Sequence, residues 1–329
     1  VMRYRLLGRT GLRVSELFLG AMTYGSPSAE VRRMLDLYAD AGGNVVDTAS
    51  MYGESESVVG ELLQGRRDRF VLATKYTGSR DRTDLNAAGN HRKNLVASLE
   101  QSLRRLRTDY IDLFWVHVWD RHTPIEETMR ALDDVVRSGK VLYVGISDAP
   151  AWLVSRANTL AEWRGWTPFA GLQVPYSLLR RDVERELLPM AEAYGMSVAS
   201  WGTLERGILS GRYNQPGAAA SRVTPESLTE RDLAAGRAVV EVAGELGVTA
   251  SQVALAWAMR RGVHPIVGAS TPEQVKDNLG ASGVALPEEA VRRLESAVPF
   301  ELGFPRDFVE EVDRSPAIYG DAVHLLDGR

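Results

Sequence analysis

V-V-D-T-A-S-M-Y-G-E (45–54) is a short β-branched run that ends on an acid and turns directly towards a tyrosine. Two later stretches follow the same plan. V-L-A-T-K-Y (71–76) brings Lys75 to the end of an apolar run, and L-F-W-V-H-V-W-D (113–120) does the same for His117. In a βα barrel the C-terminal ends of the strands converge on one rim, where catalytic groups collect. Asp47, Tyr52, Lys75 and His117 would then meet as a proton-transfer site built around the phenol.

Outward from these stretches, β-branched runs alternate with amphipathic ones. The eight candidate strands are Leu17–Leu19, Asn44–Val46, Phe70–Ala73, Ile111–Val116, Val141–Ile146, Gly171–Gln173, Ser197–Ser200 and His264–Val267. Helical spacing fills 28–40, 55–64, 91–106, 124–137, 150–162, 182–194, 231–246 and 272–281. Ser28 is placed to cap the first of these, and Thr123-Pro124 opens the fourth with Glu126 and Glu127 in its first turn. The fold class is therefore α/β: a (β/α)8 TIM barrel with an N-terminal β-hairpin around Gly8–Gly11 and additional C-terminal helices. An open doubly wound sheet would show the same alternation, but no G-x-G-x-x-G follows an early strand.

Residues 1–298 are assigned to the barrel domain and 299–329 to a C-terminal extension. Extra helices are expected at 250–260 and 287–297, and residues 202–230, rich in Gly, Ser, Ala and Pro, as a long mobile loop on the rim. The extension contains prolines but also Phe300, Phe304, Phe308 and Tyr319, which favours partial packing across the barrel or against a neighbour.

Composition narrows the function. The chain has 329 residues, 44% hydrophobic and 25% charged, with a formal charge of -4, so nothing favours nucleic acid as a partner. It has no cysteine, which removes disulfides, thiolate nucleophiles and thiolate metal sites. No apolar run reaches the roughly 20 residues of a membrane span. The opening V-M-R-Y-R-L-L-G-R-T lacks the apolar segment of a secretory signal, so a cytoplasmic location is expected. The five histidines show no compact ligand spacing, and no metal site is expected.

Tyrosine, with an ordinary pKa of about 10, is a poor acid at neutrality. A nearby cation that stabilises phenolate makes it a useful proton donor, and Lys75 is the candidate cation. Asp47 would pair with Lys75, and His117 would orient the substrate oxygen. That set suits carbonyl reduction, in which hydride reaches carbon and Tyr52 protonates oxygen. Each residue also has a plain reading: Asp47 as a cap, Tyr52 as a turn residue, His117 as a core imidazole. Lys75 as a Schiff-base nucleophile of an aldolase is a third possibility.

The chain resembles the aldo-keto reductases, in the longer-loop branch shared with potassium-channel β-subunit-like proteins. The resemblance runs from about Tyr4 to Ala297 and is carried by L-G-R-T-G-L-R-V-S-E-L-F-L-G, V-V-D-T-A-x-x-Y-G, A-T-K, D-L-F-W-V-H-V-W-D, G-I-S-D, Q-V-P-Y-S-L-L, G-I-L-S-G-R-Y and P-E-Q-V-K-D-N. It implies a barrel that binds NADPH or NADH and a tetrad of Asp47, Tyr52, Lys75 and His117. Ser147, Asp148 and Gln173 fall where the family holds the nicotinamide carboxamide. Asp148 departs from the family's Asn, since a carboxylate accepts from the amide but cannot donate to its carbonyl unless protonated. Trp201 falls where an aromatic stacks on the nicotinamide, although an indole lining the core fits the same spacing. Leu204, Gly207, Leu209 and Arg212 fall in the loop over the pyrophosphate, with a solvated Arg212 as the plain reading. Gly268, Ser270, Gln274 and Asn278 fall at the adenine end. The cation that many NADPH-preferring members carry there is missing, which leaves NADPH a mild preference over NADH.

Met22, Tyr24, Trp115 and Trp119 are the candidate pocket residues, and for a small-molecule carbonyl substrate they favour hydrophobic aldehydes or ketones over highly charged sugars. Strand alternation leaves open whether Trp115 instead faces the helix layer. A nucleotide-binding regulatory subunit with slow turnover is the non-enzymatic alternative. Oligomeric state is not legible here.

Overall fold

The computed structural model describes residues 2–214, 223–313 and 315–325. Ten strands are present among them: β1 (Tyr4–Leu6), β2 (Arg13–Ser15), β3 (Phe18–Gly20), β4 (Val45–Asp47), β5 (Val71–Tyr76), β6 (Ile111–Val116), β7 (Val141–Ser147), β8 (Gly171–Pro175), β9 (Ser197–Trp201) and β10 (His264–Gly268). Strands β3 to β10 pair in parallel in chain order, and β10 returns to β3 through Ile266–Phe18 and Gly268–Gly20. That closure makes the sheet a barrel and excludes the open alternative.

The helices are α1 (Ala29–Asp40), α2 (Ser55–Leu62), α3 (Arg92–Leu106), α4 (Ile125–Arg137), α5 (Ala151–Arg164), α6 (Leu187–Ala193), α7 (Glu230–Leu246), α8 (Ala250–Arg260), α9 (Pro272–Leu279), α10 (Glu288–Ala297), α11 (Arg306–Asp313) and α12 (Pro316–Tyr319). Local chemistry sets their ends. The Ser28 hydroxyl accepts from the Val31 amide at 3.2 Å to start α1. The stretch expected as one helix over 182–194 divides into a short turn at Asp182–Glu184 and α6. Pro189 explains the division: without an N–H it fits the first turn of a helix, not its interior.

Two-residue alternation sorts each strand. Leu72 and Phe114 join the outer core beneath the helices, whereas Val71, Ala73, Leu113 and Trp115 fill the barrel interior with Leu7, Val14, Phe18 and Val45. Trp115 therefore does not face the helix layer. A Cβ added at Gly145 would stand 2.4 Å from its ring, and one at Gly171 2.9 Å, so the small strands β7 and β8 make room for the indole. The β1–β2 hairpin sends Leu7 and Val14 into the lower end of the same interior and closes it.

The expected mobile loop after β9 is held in place through residue 214. Two short helical turns, Glu205–Ser210 and Arg212–Asn214, bury Leu209 and Tyr213, and the Asn214 amide donates to the Leu233 carbonyl of α7 at 3.0 Å. Apolar anchors hidden among Gly and Ser thus override the composition. Residues 215–222 of that expectation lie outside the described residues. Where the extension begins, Arg185 donates to the Glu301 and Leu302 carbonyls and stands 4.6 Å from the Phe300 ring centre. Phe304, Phe308 and Tyr319 are exposed. Among the described residues no single helix is long and apolar enough to cross a membrane; α7 and α8 would pass only as a pair bent by 97°, and both bury apolar faces in the core.

Candidate active site

Asp47 closes β4 and Lys75 lies near the end of β5, both pointing inward by the strand period. Lys75 Nζ donates to Asp47 Oδ1 and, at 2.9 Å, to the Thr48 carbonyl. Both side chains are buried. Gln173, from β8 across the barrel, donates its amide to Asp47 Oδ2 at 3.1 Å. Asp47 is thus a pairing group within the barrel, and α2 starts after Glu54 without a side-chain cap.

Tyr52 stands above this pair. Its ring centre is 5.0 Å from Lys75 Nζ and 5.6 Å from the His117 ring, which it meets edge-on at 83°. Burial raises the phenol above its ordinary range, while the Lys75 charge and hydrogen bond oppose that rise. His117 follows β6, and burial and the Lys75 charge push it down to about 3. It is consequently a neutral imidazole, able to donate one N–H to a carbonyl oxygen. Its Nδ1 is buried and has no partner among the described residues. The structure brings these four residues together.

Asp148 takes a left-handed backbone, φ 47°, just beyond β7. Its Oδ1 accepts from the Trp201 indole N–H at 3.2 Å, and burial raises its carboxyl. Ser147 and Gln173 are buried at the adjoining strand ends, and Trp201 is 36% exposed on the rim. A primary carboxamide offers one acceptor and two N–H donors. The Ser147 hydroxyl, the Gln173 carbonyl oxygen and the Asp148 carboxylate supply the matching donor and acceptors, so this donor set fits that group.

The other residues expected around a nucleotide are spread along the rim. Leu204 packs against the core, and Gly207 has φ 96°, a conformation suited to glycine. A Cβ there would lie 3.2 Å from the Arg212 side chain, which is exposed and runs past it. Gly268 ends β10 and Ser270 follows it, and both are exposed. Gln274 turns back to accept from the Ser270 amide at 2.8 Å, while its own amide donates to Thr271 Oγ1. That arrangement caps α9, so Gln274 is engaged rather than extended. Asn278 is buried.

Of the pocket candidates, Met22 is exposed and Trp119 half-buried on the rim. Tyr24 is buried, and Trp115 lies inside the barrel one layer beneath His117. Exposed rim residues outside the sequence expectation are Met51, Val118 and Trp152. Trp152 could have been found: it follows Asp148 by four residues, and a large apolar ring in the first turn after a strand end lies on the rim. Among the described residues no cluster of His, Asp or Glu is placed to hold a metal.

A family model described as the aldo/keto reductase family matches residues 16–299. Norsolorinic acid reductase of Aspergillus flavus is 39% identical over 331 residues, covering 94% of this chain and 84% of its own. A putative aryl-alcohol dehydrogenase of Saccharomyces cerevisiae is 37% identical, covering 93% of this chain and 89% of its own. An aryl-alcohol dehydrogenase of Pestalotiopsis microspora is 38% identical, with 93% and 85% covered. With the closed barrel already described, these matches establish that the chain belongs to the aldo/keto reductase family and is an NAD(P)H-dependent oxidoreductase that reduces carbonyl compounds.

Proposed function

We propose that Tyr52 is the proton donor of this reduction, that Asp47 and Lys75 tune it, and that His117 positions the carbonyl oxygen. The observation that carries this reading is Lys75 Nζ, anchored by Asp47 and the Thr48 carbonyl beneath the Tyr52 ring. A reduced nicotinamide nucleotide, when bound, would supply the hydride. Ser147, Gln173 and Asp148 would orient its carboxamide, and Trp201 would give its ring a flat apolar neighbour. The neutral His117 N–H and the Tyr52 hydroxyl hold the substrate oxygen, and Tyr52 releases its proton as that oxygen gains charge. Phenolate left on Tyr52 is then stabilised by the adjacent ammonium.

NADPH is proposed as the preferred nucleotide. Ser270 at the start of α9 is the group proposed to receive its extra phosphate, and Arg212 is proposed to meet the pyrophosphate. The substrate is proposed as a small, largely apolar aldehyde or ketone. The names of the aryl-alcohol dehydrogenases among its relatives support an aryl carbonyl. Those names, with an assembled Asp47–Tyr52–Lys75–His117 set, favour catalysis over a slow regulatory subunit. The longer-loop branch is retained on the strength of G-I-L-S-G-R-Y (207–213) alone. A cytoplasmic location is proposed on the same reading and is checked by cell fractionation.

The Schiff-base alternative is disfavoured because the amine of Lys75 is tied into an ion pair, whereas imine formation needs it neutral and free. Titration with NADPH and NADH, followed by turnover of an aldehyde panel with Tyr52→Phe, tests the assignment. Retained nucleotide binding with lost turnover is expected. Turnover equal to the parent removes Tyr52 from its role, and a borohydride-trapped adduct on Lys75 would favour the aldolase.

A further inference from the structure

We propose that Trp119, Trp152 and Arg121 form a subsite that selects planar aromatic carbonyl compounds carrying an anionic substituent. This rests on the reductase reading above and adds to it the residues that recognise the far end of the substrate.

Trp119 lies two residues beyond His117, and its amide contacts the Asp148 carbonyl at 3.4 Å, which ties the loop after β6 to the end of β7. Trp152 enters from the first turn of α5. The two indoles meet edge to face, with ring centres 5.6 Å apart at 90°. Helix α5 buries Leu153, Val154, Ala157 and Ala161, but Trp152 remains 58% exposed. Packing of the barrel therefore does not account for that ring. An edge-to-face pair fixes the orientation of its exposed face, and such a face favours another flat ring through offset stacking, a gain unavailable to an alkyl chain beyond simple burial.

The charge comes from Arg121. Its guanidinium stands 5.6 Å from the Trp119 ring centre. The carboxylate beside it in the chain is already engaged: Asp120 accepts from the Asn90 and His122 amides and from the Thr123 hydroxyl. Among the described residues no carboxylate lies within ion-pair distance of Arg121. A planar cation held against an indole and lacking a protein anion is matched by a carboxylate or ionised phenol on the outer edge of an aromatic ligand. Arg180, which stands 5.7 Å from the Trp201 ring centre, differs in that it pairs with Glu205.

Two measurements on the full chain test this. With NADPH, kcat/KM is compared for para-carboxybenzaldehyde, benzaldehyde and hexanal in the parent, Arg121→Gln, Trp152→Ala and Trp152→Phe. Separately, calorimetry with NADP+ present follows naphthoate binding to the same proteins. Arg121→Gln is expected to reduce the preference for the carboxylated over the plain aryl aldehyde about tenfold, through KM. Trp152→Ala is expected to lower the aryl-to-alkyl ratio about five- to tenfold, with Trp152→Phe restoring most of it. Naphthoate binding should weaken in both Arg121→Gln and Trp152→Ala. Equal losses on all aldehydes, or naphthoate affinity unchanged in both variants, would overturn the subsite. Naphthoate binding that depends on both residues in a protein that reduces no aldehyde would uphold the subsite and reject the reductase mechanism.

Discussion

The ammonium of Lys75 lies 5.0 Å from the centre of the Tyr52 ring while two of its three protons go to Asp47 and the Thr48 carbonyl. The cation is fixed in place by partners that do not need Tyr52. It can therefore act on the phenol as a standing field rather than as a group that must reorganise when the proton leaves.

Removing the phenolic oxygen should therefore cost turnover and little else. Tyr52→Phe is expected to lower kcat for aldehyde reduction about a thousandfold with nucleotide affinity unchanged. Lys75→Met is expected to lose both activity and stability. It strands the buried Asp47 carboxylate, at a cost of about 3–5 kcal/mol measured by denaturant unfolding.

The pH profile follows from the neighbours of these groups. His117 is held neutral above about 3, and burial raises Tyr52 above its ordinary range. Neither group changes charge near neutrality, so kcat for reduction should be flat from about pH 5 to 8 as far as these two are concerned. The rate should fall only at alkaline pH, as Tyr52 loses the proton it must donate. A step near about pH 6.5 that disappears in His117→Gln would show the imidazole titrating in the working range.

Asp148 and Trp201 should behave as a unit. Trp201→Phe removes the indole N–H and leaves the Asp148 carboxylate without that donor. Weakening of NADPH binding by about tenfold is expected, read from nucleotide fluorescence titration. Asp148→Asn keeps an acceptor for the indole and adds a donor, so its effect should be the smaller. The reverse order of effects would detach Trp201 from Asp148.

The floor of the site rests on glycine. Gly145→Ala would drive a methyl group to 2.4 Å from the Trp115 ring. Overpacking of this kind is expected to cost about 1–3 kcal/mol, and Trp115→Leu in the same chain should recover part of it. Thermal unfolding of the single and double variants is the measurement. A neutral Gly145→Ala would mean that the indole has room to move.

The strand positions were legible because β-branched runs announce themselves. Their C-terminal ends were less so: the expected strands stop at Val46, Ala73, Ile146 and Ser200, whereas β4, β5, β7 and β9 reach Asp47, Tyr76, Ser147 and Trp201. Those added ends carry the polar or outsized residues of the rim. Hydrophobic patterning truncates a strand where its chemistry begins, because there the side chains serve the site rather than the core.

Sequence alone determined the residue types and their strand-end placement, since alternation is a local property that each run carries in itself. Only the tertiary structure decided that the sheet closes, that Trp115 supports the site from beneath, that Gln173 reaches across to Asp47, and that Trp152 meets Trp119. Each of those contacts joins segments distant in the chain, and their geometry arises from packing the eight units around one axis.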